Sequence, residues 1–259
     1  MQLVVDVGNT ETVLGLATST TELAAHWRVS SLVPRTVDET AVLLRALLAS
    51  APVDTAAIEQ AVVGSVVPSA TRSWVKSLGQ IVKAPAVSVG PTSPLPIRLD
   101  VEEPMTVGAD RIVNTLAAME MYHRDTIAVD LGTATTFDCI SADGVFLGGV
   151  ISPGLSAGLE WLDRRTAKLP RVELEPPRRV IGRRTETCIQ SGVFLSAVEA
   201  VDGIVRRIKE EWGKPRALVV ATGGFAGVVG PNLATVDEIE PFLTLYGLAM
   251  AGRHIAASE

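Results

Sequence analysis

The sequence predicts an α/β protein built from two similar domains, and three observations carry that prediction. Short β-branched runs that read as buried strands alternate with stretches of helical period. Val5-Asp6-Val7-Gly8-Asn9-Thr10 reads like Val129-Asp130-Leu131-Gly132-Thr133-Ala134: an apolar run, an acid, an apolar residue, a glycine and a polar turn. The copies lie 124 residues apart (Asp6 to Asp130) in a chain of 259, close to half its length, which suggests a duplicated supersecondary unit. A division near residue 120 follows, into domains 1–120 and 121–259. Hydrophobic residues at 47% and charged residues at 20% exclude a disordered or fibrous chain.

The elements follow in order. Leu3-Val4-Val5-Asp6-Val7 is a strand, Gly8-Asn9-Thr10 a tight turn, and Thr12-Val13-Leu14-Gly15-Leu16 the returning strand. Thr36 and Glu39 have the spacing of a capping box ahead of an apolar helix over 41–48. Residues 61–67 form a buried strand closed by Pro68, and 69–78 a helix. Pro85, Pro91, Pro94, Pro96 and Pro104 limit 84–104 to one short strand and loop. Residues 108–122 repeat at 3.6, with Ile112, Leu116 and Met119 on one face, so Asp110 and Arg111 sit in the first turn of a helix. A strand over 126–130 turns at 131–134 and runs back over 136–140, and Asp143-Gly144 is a hairpin turn into 145–150. Pro153-Gly154 precedes a helix over about 156–168. A proline-broken loop carries Arg171, Arg178, Arg179, Arg183 and Arg184, either as a solvated loop or facing a partner subunit. A long helix over 185–212, a strand over 217–221 and a final helix over 241–257 complete the chain.

A net charge of −6 argues against a general nucleic-acid surface, leaving a local basic patch open. Cys139 and Cys188 have no metal or disulfide spacing and read as small apolar residues in a reduced, cytoplasmic compartment. The N-terminus lacks the basic region of a signal peptide, and no unbroken apolar run reaches the ~18 residues of a membrane span. His26, His123 and His254 show no ligand spacing. Neither a nucleic acid nor a membrane is expected as a partner.

The repeated turn has a chemistry. A glycine after a strand lets backbone N–H groups approach a phosphate, and Asn or Thr adds donors. An Asp at the strand end can hold Mg²⁺, usually through water. Two such turns facing each other would grip a polyphosphate from both sides; the plainer alternative makes each Asp-x-Gly only a hairpin corner. Val219-Val220-Ala221-Thr222-Gly223-Gly224 adds a strand ending in a glycine pair, against which a flat purine or ribose can lie. Asp110 is either a favourable charge at a helix start or a base. Arg111 suits a carboxylate clamp, because a guanidinium pairs with a carboxylate bidentately.

Asp6-Val7-Gly8-Asn9-Thr10, Asp130-Leu131-Gly132-Thr133-Ala134-Thr135-Thr136 and Ala221-Thr222-Gly223-Gly224 resemble the phosphate 1, phosphate 2 and adenosine motifs of the acetate and sugar kinase, Hsp70 and actin superfamily. Val107-Gly108-Ala109-Asp110-Arg111-Ile112-Val113-Asn114, Gly148-Gly149-Val150-Ile151-Ser152-Pro153-Gly154, Ala167-Lys168-Leu169-Pro170, Gln190-Ser191-Gly192 and Asp202-Gly203-Ile204 narrow the resemblance to type III pantothenate kinase. The motifs run in family order over essentially the whole chain.

That resemblance implies two ribonuclease-H-like (actin-like ATPase) domains with a nucleotide cleft between them, and a cytoplasmic homodimer. It implies ATP-dependent phosphorylation of pantothenate to 4′-phosphopantothenate, the first step of coenzyme A biosynthesis, with Mg²⁺ and K⁺ or NH₄⁺ as cofactors. Carried over by position, Asp6, Val7, Gly8, Asn9, Thr10, Glu11, Thr12 and Val13 would bind the ATP phosphates. Asp6 would hold Mg²⁺ through water, and Gly132, Thr133, Gly223 and Gly224 would touch ATP. Gly108, Ala109, Asp110, Arg111 and Thr185 would bind pantothenate, with Asp110 as the base and Asp130 on the monovalent cation. Two positions depart from the family pattern: Val101 stands where the family usually has Tyr, and Arg184 where it often has Asn. The alternatives are another small-molecule kinase or phosphatase of the superfamily, or a non-catalytic regulatory relative.

Overall fold

Each sheet forms around a strand that is apolar on both faces, because both faces are covered. The computed structural model describes residues 1–82, 84–166 and 168–258, so Ala167, in the motif 167–170, lies outside the described residues. The chain folds as two compact units. The first comprises Met1–Met121, Asp143–Phe146 and Leu243–Glu259; the second comprises Tyr122–Ala142 and Leu147–Phe242.

In the first unit, β1 (Gln2–Val7), β2 (Glu11–Ser19), β3 (Glu22–Ser30), β4 (Gln60–Ser65) and β5 (Val87–Ser88) form a sheet in the order β3-β2-β1-β4-β5. β1 is antiparallel to β2 and parallel to β4. Such a parallel pairing needs a crossover, here α1 (Val37–Ala49), whose Thr36–Glu39 capping box is complete. α2 (Pro68–Leu78) packs beside α1, and Ser77 Oγ donates to the Val37 carbonyl at 2.7 Å. β6 (Arg98–Leu99) and α3 (Ala109–Tyr122) follow. No residue of β3 is fully buried, so this edge strand lacks the apolar signature that marks its neighbours.

The second unit repeats this order. β7 (Thr126–Leu131), β8 (Ala134–Ile140), β9 (Val145–Pro153), β10 (Leu218–Thr222) and β11 (Glu238–Ile239) run β9-β8-β7-β10-β11, and β6 adds a sixth strand beside the start of β9, whose Val145 and Phe146 belong to the first unit. β7 is antiparallel to β8 and parallel to β10, as β1 is to β2 and β4. The crossover is made by α4 (Leu155–Arg165) and α5 (Thr185–Trp212); α6 (Ala226–Val229) precedes β11. The copies differ by one residue at the turn: Asp6 stands opposite Val13, and Asp130 opposite Thr136.

The last helix, α7 (Leu243–Ser258), packs on β1 and β4 and belongs to the first unit, whereas the sequence reading assigns all of 121–259 to the second domain. Its seat is made by close approach. A Cβ on Gly247 would stand 2.1 Å from the Val113 carbonyl oxygen, and only glycine fits there. Thr244 Oγ1 donates to Asn114 Oδ1 at 2.9 Å, and Gln60 Nε2 donates to the Gly252 carbonyl at 3.0 Å. The fold thus exchanges its terminal helix, a feature that local periodicity does not encode.

Among the described residues, α5 alone is long and apolar enough to cross a membrane by length and composition. Glu199 and Asp202 interrupt its apolar stretch. Ile189, Phe194, Val198, Val201 and Val205 are buried, and all but Ile189 join a core that includes Ile127, Val129 and Val219. Asp202 is buried on the same helix. It accepts hydrogen bonds from Thr235 Oγ1 (2.6 Å) and from the N–H groups of Ala234 and Thr235 (both 3.0 Å). Burial opposes its charge, but these hydrogen bonds and nearby Arg206 hold the carboxyl below the usual carboxylate range.

A depressed pKa gives stability that is present above the unfolded-state value and lost as pH falls through the folded-state value. Asp202→Asn is therefore expected to lower stability at neutral pH by about 1.5–3 kcal/mol, the scale of hydrogen bonds to a charged group. The difference from the unsubstituted protein should begin to shrink near the ordinary carboxylate value of about 3.9 and close only below the lower folded-state value. Denaturant titrations from pH 7 down through the acid range check this, and a gap that stays constant over the whole range would count against it.

Candidate active site: two glycine turns and a helix start

In the first unit the site grows from the end of β1. Asp6 is partly buried and pairs with Val13 on β2 and Gly64 on β4, so these three share one sheet face. The Gly8 N–H donates to the Glu11 carbonyl at 3.0 Å, closing a turn in which Asn9 is exposed. Val7 is buried. The Thr12 hydroxyl is committed to Ser31 Oγ at 2.8 Å, and exposed Glu11 pairs with Arg28 at 3.1 Å. Glu11 and Thr12 therefore present mainly backbone to a ligand, while Asp6, Asn9 and Thr10 surround the turn.

The same end of this sheet meets the start of α3. A Cβ on Gly64, opposite Asp6, would lie 3.7 Å from the Ala109 Cβ, and one on Gly108 would lie 3.2 Å from Val66 Cγ1. Asp6 and the Gly108-Ala109-Asp110-Arg111 segment are thus brought to one edge of the first unit. Asp110 Oδ1 accepts the Arg111 N–H at 2.8 Å in the first helical turn. Desolvation pushes the Asp110 carboxyl above its ordinary value, against the backbone N–H and guanidinium of Arg111, which pull it down. This carboxyl is a better proton acceptor than a solvated one. The helix start favours its charge, but burial outweighs that effect. Arg111 lies over the buried ring of Phe146, its guanidinium carbon 4.9 Å from the ring centroid.

In the second unit Asp130 ends β7 between Thr136 on β8 and Thr222 on β10, so an acid is flanked by two hydroxyl residues on one face. The Gly132 N–H donates to the Ala134 carbonyl at 3.1 Å, and Thr133 is exposed. Gly223 is in the left-handed region at φ +89°, and a Cβ there would stand 2.2 Å from Asp130 Oδ1. The Phe225 N–H donates to the Leu131 carbonyl at 3.0 Å, so the Gly223-Gly224 turn is fastened to the Asp130 turn. Gly154 presses on the same turn: its N–H donates to the Thr133 carbonyl at 3.1 Å, and a Cβ would come within 2.4 Å of the Gly132 and Thr133 oxygens. The sequence reading treats Gly154 as a chain break within a motif; its part in shaping the second turn depends on a contact 21 residues away. An open cavity of about 570 Å³ lies beside Phe225, bordered by Leu159, Arg171 and Leu174. Thr185 is exposed at the first position of α5 in this unit, and Thr187 Oγ1 accepts the N–H groups of Arg183 and Arg184 at 3.2 Å.

The described residues hold no cluster of three His, Cys, Asp or Glu that would bind a metal outright. Buried Thr222 Oγ1 has no hydrogen-bond partner in the protein. With the Asp130 carboxylate it offers oxygen-only donors, which suit a hard cation such as K⁺. A single carboxylate at Asp6 suits Mg²⁺ that keeps several waters and its phosphate ligands.

Comparison with known proteins gives the fold and the family. A glucokinase of the ROK family from Streptomyces griseus, solved with glucose and AMPPNP, aligns over 97% of this chain and 98% of its own, with TM-score 0.55 and 12% identity. Component A of the (R)-2-hydroxyglutaryl-CoA dehydratase from Acidaminococcus fermentans aligns over 100% and 99%, with TM-score 0.54 and 15% identity. These likenesses show the fold, two ribonuclease-H-like domains of the actin-like ATPase class. A type III pantothenate kinase from Moorella thermoacetica is 45% identical over 254 residues, covering 96% of this chain and 97% of that protein. One from Geotalea daltonii is 41% identical over 248 residues, covering 96% of each. The type III pantothenate kinase profile matches residues 2–207, and with relatives this similar over nearly the full length the chain belongs to the type III pantothenate kinase family.

Proposed function

We infer from family membership that this chain transfers phosphate from ATP to pantothenate, giving 4′-phosphopantothenate for coenzyme A biosynthesis, and we propose Asp110 as the base. The observation that supports this role is the desolvated Asp110 carboxylate in the first turn of α3. Pantothenate offers a primary alcohol and one carboxylate. Arg111, next to the base, pairs with the carboxylate, and Asp110 accepts the hydroxyl proton as the phosphoryl group moves. In phosphoryl transfer the protein mainly positions groups and stabilises charge. The turns at Gly8 and Gly132 supply backbone N–H groups for phosphate oxygens, and the cavity beside Phe225 takes the nucleoside end.

Asp6 would hold the Mg²⁺ that accompanies ATP, through water, and Asp130 with Thr222 the monovalent cation; when bound, these ions offset phosphate charge. The family assignment favours this reading over a sugar kinase or exopolyphosphatase. Retention of Asp110 and both turns favours it over a non-catalytic relative. We also propose a cytoplasmic homodimer built on the second unit. α4 buries only Leu155, leaving Trp161 62% exposed, and Ile151 on β9 is 64% exposed.

Asp110→Asn should lower kcat about 10²–10⁴-fold, with a smaller change in the KM for pantothenate. A raised carboxyl pKa favours the protonated folded state: its stabilisation is full at acid pH and lost as pH rises through the folded-state value. The Asn variant should therefore melt no lower than the unsubstituted protein at neutral pH. The acid limb of the kcat/KM profile, expected above the ordinary carboxylate value near 3.9, should disappear with it. Retention of more than about a tenth of kcat would remove Asp110 from the base role.

Asp130→Ala should weaken K⁺ activation while leaving the fold intact by circular dichroism. Full activity of the unsubstituted protein in a sodium-only buffer would refute the monovalent-cation site. Light scattering should return the mass of a dimer, and Trp161→Arg should shift it toward the monomer; a monomeric parent protein at working concentration contradicts the assembly.

A further inference from the structure

Arg111 is a long, flexible side chain asked to hold a carboxylate in one place, and the structure provides a device that fixes it. Its guanidinium carbon lies 4.9 Å from the centroid of the Phe146 ring. An aromatic face attracts a cation without accepting a conventional N–H hydrogen bond and without neutralising its charge.

The ring itself is well anchored. Phe146 is 1% exposed and is among the largest fully buried side chains. Its strand is clamped by parallel pairing with β6, with Leu99 opposite Phe146; the Phe146 carbonyl accepts the Asp100 N–H at 2.9 Å, and the Gly144 carbonyl accepts the Arg98 N–H at 3.0 Å. At the turn before it, the open face of Gly144 looks onto Met119 Sδ of α3, the helix that carries Arg111. Ring and cation are thus joined through one helix and one strand of the first unit. The segment paired with Phe146 leads directly to Val101, where this chain lacks the aromatic residue usual in the family.

We infer that Phe146 is a positioning residue for substrate binding: its ring holds the Arg111 guanidinium in the place where it receives the pantothenate carboxylate. This rests on the reading of Arg111 as the carboxylate clamp. Because Phe146 acts through Arg111 on a group distant from the reacting hydroxyl, its loss should fall on binding common to ground and transition states, and so on KM more than on kcat.

The test is a cycle of four proteins, unsubstituted, Phe146→Leu, Arg111→Gln and the double variant, with Phe146→Tyr as the ring-retaining control. Steady-state KM values for pantothenate and ATP are measured; KM does not depend on the active fraction, so a partly unfolded variant still reports. Phe146→Leu should raise the KM for pantothenate about 3- to 10-fold, with a smaller change in kcat and none in the KM for ATP. Phe146→Tyr should restore the low KM. In the Arg111→Gln background, Phe146→Leu should add no further rise, since no cation remains to be held. An unchanged KM in Phe146→Leu, or the same rise in the Arg111→Gln background, overturns the inference alone. An unchanged KM in Arg111→Gln overturns the clamp reading and the inference with it.

Discussion

β1 and β7 each lie between an antiparallel neighbour and a parallel one, and each carries an acid at its penultimate residue before a glycine turn. The parallel partner leaves no room for a hairpin on that side, so the chain must leave through a helix and return. The position of the helices, the crossovers and the glycine turns all follow from this one arrangement.

The two copies have diverged in ways that suit different tasks. Asp6 faces Val13 and Gly64, a setting packed close to the start of α3. Asp130 faces Thr136 and Thr222, an oxygen-rich setting crowded by Gly223 and Gly154. The first copy therefore lies beside the segment 108–111, and the second is closed by backbone contacts to its own unit. Duplication supplies two glycine turns, and neighbouring residues give them separate surroundings.

Burial opposes the charge of both carboxylates, and hydrogen bonding reverses its effect on only one of them. Asp202 is surrounded by donors and is held ionised, as befits a side chain that fastens the 234–235 loop to α5. Asp110 receives the Arg111 backbone N–H, its own backbone N–H and nearby guanidinium charge, and desolvation prevails. The number of hydrogen bonds offered to the charged form decides which acid is structural and which is fit to accept a proton.

Much of this was legible in the sequence. The half-chain repeat, the helix that begins at Asp110, and the strand that ends at Gly223 all rest on local signals: apolar periodicity, capping spacing and glycine after a strand. β3 was less legible because none of its residues is fully buried: Leu23, Ala25, Trp27 and Val29 alternate with Ala24, His26 and Arg28, without the unbroken apolar run of β1 or β4. The placement of α7 on the first unit was not legible either, because the apolar period of a helix states that one face is covered but not by which sheet. That choice is made by Gly247 against Val113, a contact 134 residues apart. The same holds for Gly154 against the Asp130 turn and for Phe146 beneath Arg111: each residue type is ordinary in its own segment, and its role exists only once the chain has brought a distant backbone atom or cation to it. Sequence determined the family and the candidate groups; packing across long chain separations decided what holds them in place.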